Sequence, residues 1–347
     1  MKRIIGILSL ATLLVFAACS NSSDSGSSGA NNGSGSSGGG VTPAGFVTVA
    51  AGPASGAVTG SGVFIANRTV AIPALYVCDH EVTQGEYETY CKYGGSSPSD
   101  TYGKGADYPA YYVNWYDAVV YCNLRSKAEG LNPVYAISGE TDPTKWSGIA
   151  GDASAKWCGP SSGNDTWNGI TMVGSDRSNN VVTTANGYRL PTEAEWEYIA
   201  RNKNSDSYTY SGSNTIGDVA WYMTNSGNKT HEVKTNKTNG KDSANGLGIY
   251  DMSGNVWEWC WDWYDSITAS TDALGASSGS DRVNRGGSWL NDASGCSVAY
   301  RYDGDPCYRT AILASAWFAP LSNPLSQKNT IGRQGSGRQP LPAFPIV

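Results

Sequence analysis

Histidine is nearly missing from this chain: His80 and His231 are the only two in 347 residues. A zinc or iron centre built on several imidazoles is therefore close to excluded. Charge is scarce as well, at 16% Asp, Glu, Lys and Arg, and its balance is acidic, with a formal net charge of −6. Such a chain presents no electrostatic footprint for a phosphate backbone, so nucleic acid is not an expected partner. No Cys-x-x-Cys pair occurs, no glycine-rich phosphate loop follows a strand-like run, and no serine nucleophile motif is present. The apolar run from Ile4 to Phe16 is too short to cross a bilayer comfortably.

That run follows Lys2 and Arg3 and precedes Ala17-Ala18-Cys19, which is the layout of a lipoprotein signal. Residues 1–19 are expected to be a signal peptide, with Cys19 the diacylated first residue of an exported protein held to the membrane by its lipid, on the outer surface of the envelope. An ordinary signal peptide with a chance cysteine is the alternative. Residues 20–44 are mostly Ser, Gly and Asn and are expected to form a flexible tether, because they have nothing to bury. Seven cysteines remain, at 78, 91, 122, 158, 260, 296 and 307. The odd count leaves at least one unpaired, and no specific disulfide is predicted.

What the chain has in quantity is tryptophan and glycine, 12 and 43 residues. Trp257, Trp259, Trp261 and Trp263 fall within one short stretch and cannot all face water. Each ring buried stabilises a fold by about 2–3 kcal/mol, so this stretch is expected to floor the core. Gly286 and Gly287 then allow close backbone approach or positive φ beside it. Short β runs are expected at Phe46–Val49, Gly62–Ile65 and Val70–Val77. Helices are expected from Thr83 to about Lys92 and from Asn114 to Gly130, with a short one after Thr192. The Gly/Ser/Asn-rich region 138–186 is expected to hold little regular structure, pinned by Trp146, Trp157 and Trp167.

Five segments taken in order resemble the formylglycine-generating enzyme, or sulfatase-modifying factor, domain family. They are Glu81-Val82-Thr83-Gln84-Gly85-Glu86-Tyr87, Val113-Asn114-Trp115-Tyr116-Asp117-Ala118, Tyr188-Arg189-Leu190-Pro191-Thr192-Glu193-Ala194-Glu195-Trp196, Tyr250-Asp251-Met252-Ser253-Gly254-Asn255-Val256-Trp257-Glu258-Trp259 and Arg285-Gly286-Gly287-Ser288-Trp289. The resemblance implies an α+β, C-type-lectin-related fold with little regular secondary structure, placed at residues 45–313. Oxidases of the family use a cysteine pair after the Gly-Gly-Ser-aromatic motif to bind copper, since a soft Cu(I) ion prefers two thiolates. Here Asn291 takes the first position and only Cys296 the second, so copper is not expected, and Cys296 is a catalytic candidate only under the oxidase alternative.

A branch that fits better comprises the exported, retroelement-diversified lipoproteins of treponemal type, whose variable region follows the same motif. From Leu290 to Ile312 the chain shows neither helical nor strand period. Its candidate ligand-binding residues are Leu290, Asn291, Asp292, Ser294, Gly295, Ser297, Tyr300, Tyr302, Asp303, Gly304, Asp305, Cys307, Tyr308, Thr310 and Ala311. Ala293, Cys296, Ala299, Arg301, Pro306 and Arg309 read as scaffold between them. Tyrosines supply rigid contact area, and Asp, Ser and Gly supply adaptable hydrogen bonds, as in antibody loops. The expected partner is a protein or glycan at the cell surface. An ordinary Tyr/Asp-rich surface loop shares much of this composition, and a structural envelope protein is a third class.

Three smaller expectations complete the reading. Gly254, Asn255, Val256 and Glu258 resemble a calcium-binding corner of the family, where oxygens from one tight turn suit a hard cation. Glu193, Glu195 and Glu197 are expected to serve the helix start and the packing rather than acid–base catalysis, His80 to be structural and His231 to lie at the surface. Family members end in a Gly-Phe-Arg strand, whereas Leu313 here is followed by Ala314-Ser315-Ala316-Trp317. One choice of codons restores Gly-Phe-Arg in another frame, so 314–347 is expected to be a frameshifted, partly disordered tail.

Overall fold

The computed structural model describes residues 42–320 apart from 56–57, 59, 163–164, 237–242 and 316–317, all within one unit, Gly40–Val347. The expected signal peptide with Cys19, the tether up to residue 41 and the tail beyond 320 lie outside the described residues. Among the described residues no helix is long and apolar enough to cross a membrane.

The chain enters through β1 (Phe46–Val49), β2 (Gly52–Ser55), β3 (Thr69–Ile72) and β4 (Leu75–Cys78). β1 and β4 pair antiparallel, as do β2 and β3. Gly62–Ile65 is not a strand, contrary to expectation. Its backbone donors are taken elsewhere: the amides of Gly62 and Val63 reach the Glu197 carboxylate, and Phe64 reaches Ser61 Oγ at 2.6 Å. With those donors engaged by side chains, no ladder forms, while Val63 and Phe64 still bury their side chains.

α1 (Gln84–Tyr90) and α2 (Trp115–Ala128) start on reciprocal caps, Thr83 with Glu86 and Asn114 with Asp117. α1 ends two residues short of the expected Lys92. Between α2 and the next long helix come only fragments: β5 (Tyr135–Ala136), β6 (Ala150–Gly151), β7 (Trp157–Cys158), α3 (Asp165–Asn168) and β8 (Thr171–Met172). Trp146 and Trp167 are buried and meet edge-on at 5.4 Å, so aromatic packing replaces hydrogen-bonded ladders there. α4 (Glu193–Ala200) is capped by Thr192 with Glu195 and is buried along its whole length.

β9 (Trp257–Trp263) is buried on both faces. It lies between β10 (Arg282–Arg285) and β12 (Leu313–Ser315), with β11 (Tyr302–Gly304) outside β10. β10 and β11 run antiparallel to their neighbours, and β12 runs parallel to β9. The Trp259 indole donates to Val113 O at 3.1 Å and the Trp115 indole to Cys260 O at 2.9 Å, tying β9 to the start of α2. The Arg282 guanidinium lies 3.8 Å above the Trp115 ring and 3.3 Å above Trp263, a charge held among aromatic faces.

β13 (Phe318–Pro320) adds to the free side of β4. The domain edge expected at Leu313 therefore moves outward. Residues 314–315 and 318–320 are backbone-paired rather than part of a tail, because ladder hydrogen bonds use the main chain whatever side chains the codons specify.

Candidate functional site

The Gly-Gly-Ser-Trp turn sets where the segment 290–312 begins. Gly286 and Gly287 have φ of +92° and +77°. A Cβ on Gly287 would come within 2.7 Å of Cys296 Sγ. Only glycine allows both the left-handed backbone and that approach. Trp289 then fixes the far end as well: its amide donates to Asn255 O at 2.8 Å and its indole to Ala311 O at 3.0 Å.

Between those points the segment is held by anchors that alternate with exposed positions. Arg301 makes a forked pair with Glu193 at 2.6 and 2.7 Å, and Arg309 another with Asp117 at 2.7 and 2.8 Å. Beneath them Arg285 bridges Glu193 at 3.0 Å and Glu197 at 2.6 Å and donates to Val298 O. Cys296 and Pro306 are buried. Leu290, Asp292, Ser294, Tyr300, Tyr302, Asp303, Asp305 and Tyr308 are exposed, and Asn291, Ser297, Gly304, Cys307, Thr310 and Ala311 are partly so. Gly295 is the correction: it is buried, in a single 3-10 turn (Ser294–Cys296) whose first donors go to Asp292, and it packs against the Asn291 side chain.

The second half of the segment encloses a cavity of about 380 Å³. Tyr302, Asp303, Gly304, Asp305, Tyr308 and Thr310 line it, together with Trp257, Asn284 and Ile312, which the sequence reading did not select. Tyr302 stacks on Trp257 at 5.4 Å, with Tyr300 at 6.0 Å from the same ring. Tyr302 is 49% exposed and Tyr308 63%. Asn284 is 2% exposed, and its Oδ1 has no hydrogen-bond partner. An unpaired buried acceptor costs about 1–3 kcal/mol, a cost commonly tolerated where a ligand completes the bond. The available signal was a polar residue in the middle of the buried Arg-Val-Asn-Arg strand directly before the glycine turn. Leu290, Asp292, Ser294 and Ser297 do not line this cavity. A second cavity, of about 320 Å³ beside Glu193 and Asp262, contains no residue of 290–312; burial pushes the Asp262 carboxyl up to about 7.

The residues present do not fit a two-thiolate copper site. Asn291 Oδ1 accepts from Ser288 Oγ at 2.6 Å, and the Cys296 thiol is buried against Ser288 O at 3.8 Å. Burial pushes that thiol up to about 12, so it is a neutral S–H. In the quartet Gly254, Asn255, Val256 and Glu258, where calcium was expected, both side chains already have protein partners. Asn255 Oδ1 accepts the His231 amide at 3.0 Å, and its amide nitrogen donates to Glu81 at 2.7 Å. Glu258 accepts the Trp196 indole, and burial pushes its carboxyl up to about 8.

Cys78, Asp79 and His80 cluster closely enough to suggest a metal. His80, however, is clasped between Asp79 at 2.5 Å and Glu86 at 3.4 Å. Burial alone would lower its pKa, but hydrogen bonds to Asp79, Cys78 and Glu86 raise it to about 12, which favours the imidazolium held between carboxylates. His231 is half-buried rather than on the surface, its ring stacked on Trp221 at 3.8 Å. Glu193 and Glu197 pair with arginines as described, and Glu195 pairs with Arg189 at 2.6 Å.

Comparison with known proteins places these features. The sulfatase-modifying factor enzyme 1-like domain matches residues 37–311. Chaperone protein LppX of Paenibacillus barcinonensis is 36% identical over 247 residues, which cover 67% of this chain and 76% of that protein. The formylglycine-generating enzyme of Thermomonospora curvata is 35% identical over 136 residues, covering 35% of this chain, and the match spans under half of that enzyme, 44%. Among solved structures, Treponema denticola variable protein 1 superposes with a TM-score of 0.61 at 30% identity, over 79% of this chain and 94% of that one. Its likeness includes the α+β architecture of short strands and few helices. The chain belongs to the sulfatase-modifying factor enzyme 1-like domain family and has the fold of formylglycine-generating enzymes.

Proposed function

We propose that this protein is a surface-anchored lipoprotein that displays an exchangeable ligand-binding face on a formylglycine-generating-enzyme-type scaffold. The observation that carries the reading is the segment 290–312, pinned by Arg301, Arg309, Cys296 and Pro306, with exposed side chains between the pins and an aromatic-walled cavity beneath. Side chains whose contacts are with solvent can be exchanged at little cost in stability, which is what diversification requires. The likeness to a treponemal variable protein supports the same reading. The name of the Paenibacillus relative, a chaperone, favours a protein over a glycan as the ligand.

Export and lipidation at Cys19 follow from the signal sequence and belong to this proposal. Metabolic labelling with a palmitate analogue tests them: label retained in a Cys19→Ala protein contradicts lipidation at that residue. Binding is tested by exposing the full chain to protein-fragment and glycan arrays beside the Tyr300→Ala, Tyr302→Ala, Tyr308→Ala variant. Signals that the variant loses are expected; identical signals from both contradict the face.

The alternative is an oxidase that converts a sulfatase cysteine to formylglycine. The buried neutral thiol of Cys296 and the engaged Asn291 argue against it. Copper(I) titration with a cysteine-containing sulfatase peptide decides: peptide aldehyde would establish the alternative.

A further inference from the structure

The cavity under the second half of the segment is one-sided in its chemistry. Among the described residues its charged ones are Asp303 and Asp305, and no lysine, arginine or histidine lines it. The arginines of the neighbourhood are already engaged: Arg301 with Glu193, Arg309 with Asp117, and Arg285 with Glu193 and Glu197. Asn284 contributes an acceptor, Oδ1, that nothing among the described residues satisfies although the residue is 2% exposed. Asp305 uses Oδ1 to accept the Cys307 amide at 2.8 Å, so that oxygen holds its turn. The remaining walls are the rings of Trp257, Tyr302 and Tyr308.

Carboxylates, an unfilled carbonyl and aromatic faces together present acceptors and π-density and offer a ligand no cation. A guanidinium or alkylammonium group satisfies all three at once, donating to the carboxylates and the amide while its charge lies against the rings. The protein itself places a guanidinium against ring faces, that of Arg282 lying over Trp115 and Trp263. A net charge of −6 draws basic partners by long-range attraction. We infer that the cavity bounded by Trp257, Asn284, Asp303, Asp305 and Tyr308 is the anchor point for a cationic side chain, arginine or lysine, of a protein ligand. This rests on the binding-face reading and specifies the chemistry of its partner.

The test is saturation-transfer NMR on the full chain with Nα-acetylated amides of arginine, lysine and citrulline, and with methyl glycosides. Citrulline keeps the shape of arginine and removes the charge. Transfer to arginine or lysine is expected and the stronger of the two identifies the side chain; citrulline and the glycosides are expected to show none. Added salt is expected to weaken the signal. The Asp303→Asn, Asp305→Asn protein keeps the turn acceptor and is expected to bind the cation about tenfold less tightly. Tyr308→Ala, at a residue 63% exposed, is expected to weaken it severalfold. Equal transfer to citrulline and arginine, no transfer to either cation, or unchanged binding by the double variant overturns the inference. Face-dependent binding of a glycoside or neutral peptide would overturn it too, yet leave the display reading standing. Loss of all face-dependent array signals would remove both.

Discussion

Glu193 and Glu197, with their partner Arg285, differ from Asp292, Asp303 and Asp305 in what surrounds them, although all five acidic groups are carboxylates. The first three are buried, and each has a partner fixed by a helix or strand. The other three are exposed on a segment whose local bonds run within a few residues, such as Asp292 to Gly295 and Asp305 to Cys307. A buried charge cannot be exchanged without stranding its partner, whereas an exposed one leaves water behind. The molecule thus separates a region whose polar residues hold the fold from one whose polar residues are available to a ligand. Arg301 and Arg309 stitch the two together.

The sharpest way to break that contrast is to cut the buried network. Arg285→Ala leaves Glu193 and Glu197 short of a cation and is expected to cost about 3–5 kcal/mol, seen as a lower denaturation midpoint or as insoluble protein. Gly287→Ala comes next: it meets positive φ and a Cβ contact with Cys296 together, and should cost more than about 1 kcal/mol by chemical denaturation. Should Gly287→Ala be neutral, the turn is not what positions the segment.

The pH dependence sharpens the comparison from the scaffold side. Burial raises Glu258 to about 8, Asp262 to about 7 and Asp251 to about 6, so the folded state holds protons that the unfolded chain releases above the ordinary carboxyl range. The stability these groups contribute is therefore fully present below their unfolded values, 3.8 for Asp and 4.5 for Glu, and is lost as pH rises from there through the folded values up to about 8. Glu258→Gln keeps an acceptor for the Trp196 indole and removes one titration. Its stability relative to the parent is expected to rise between pH 5 and 8 by roughly 1 kcal/mol or more, and a flat difference would contradict the neutral carboxyl. At the small end, Tyr302→Ala should cost about 0.5–1.5 kcal/mol through its lost stack on Trp257, and Tyr308→Ala no more than about 0.5 kcal/mol, while both change binding.

The capped helices could be read in the sequence because their signals are local. Thr83 with Glu86, Asn114 with Asp117 and Thr192 with Glu195 each name a start within four positions. The tryptophan floor was equally open, since period and ring size leave few alternatives. Gly62–Ile65 was misjudged because the competing acceptor, Glu197, lies far along the chain, and no local pattern shows a carboxylate taking backbone donors. The face was legible as composition, yet its cavity was not. Trp257 and Asn284 belong to the buried strands β9 and β10, and they become walls only when β11 folds alongside β10. The surroundings of the Gly254–Glu258 turn were hidden for a related reason: the His231 amide and the Trp196 indole, which donate to the Asn255 and Glu258 oxygens, come from elsewhere in the chain.

The central claim is that the face can change while the scaffold does not. Its most direct test is thermal denaturation of a protein in which Leu290, Asp292, Ser294, Tyr300, Tyr302, Asp303, Asp305 and Tyr308 are all replaced by serine or asparagine. The account predicts a midpoint within about 4 °C of the parent, the shift that about 1 kcal/mol produces in a domain of this order of size. A midpoint lowered as far as that of Arg285→Ala would show that the segment is part of the structural core and would contradict the claim.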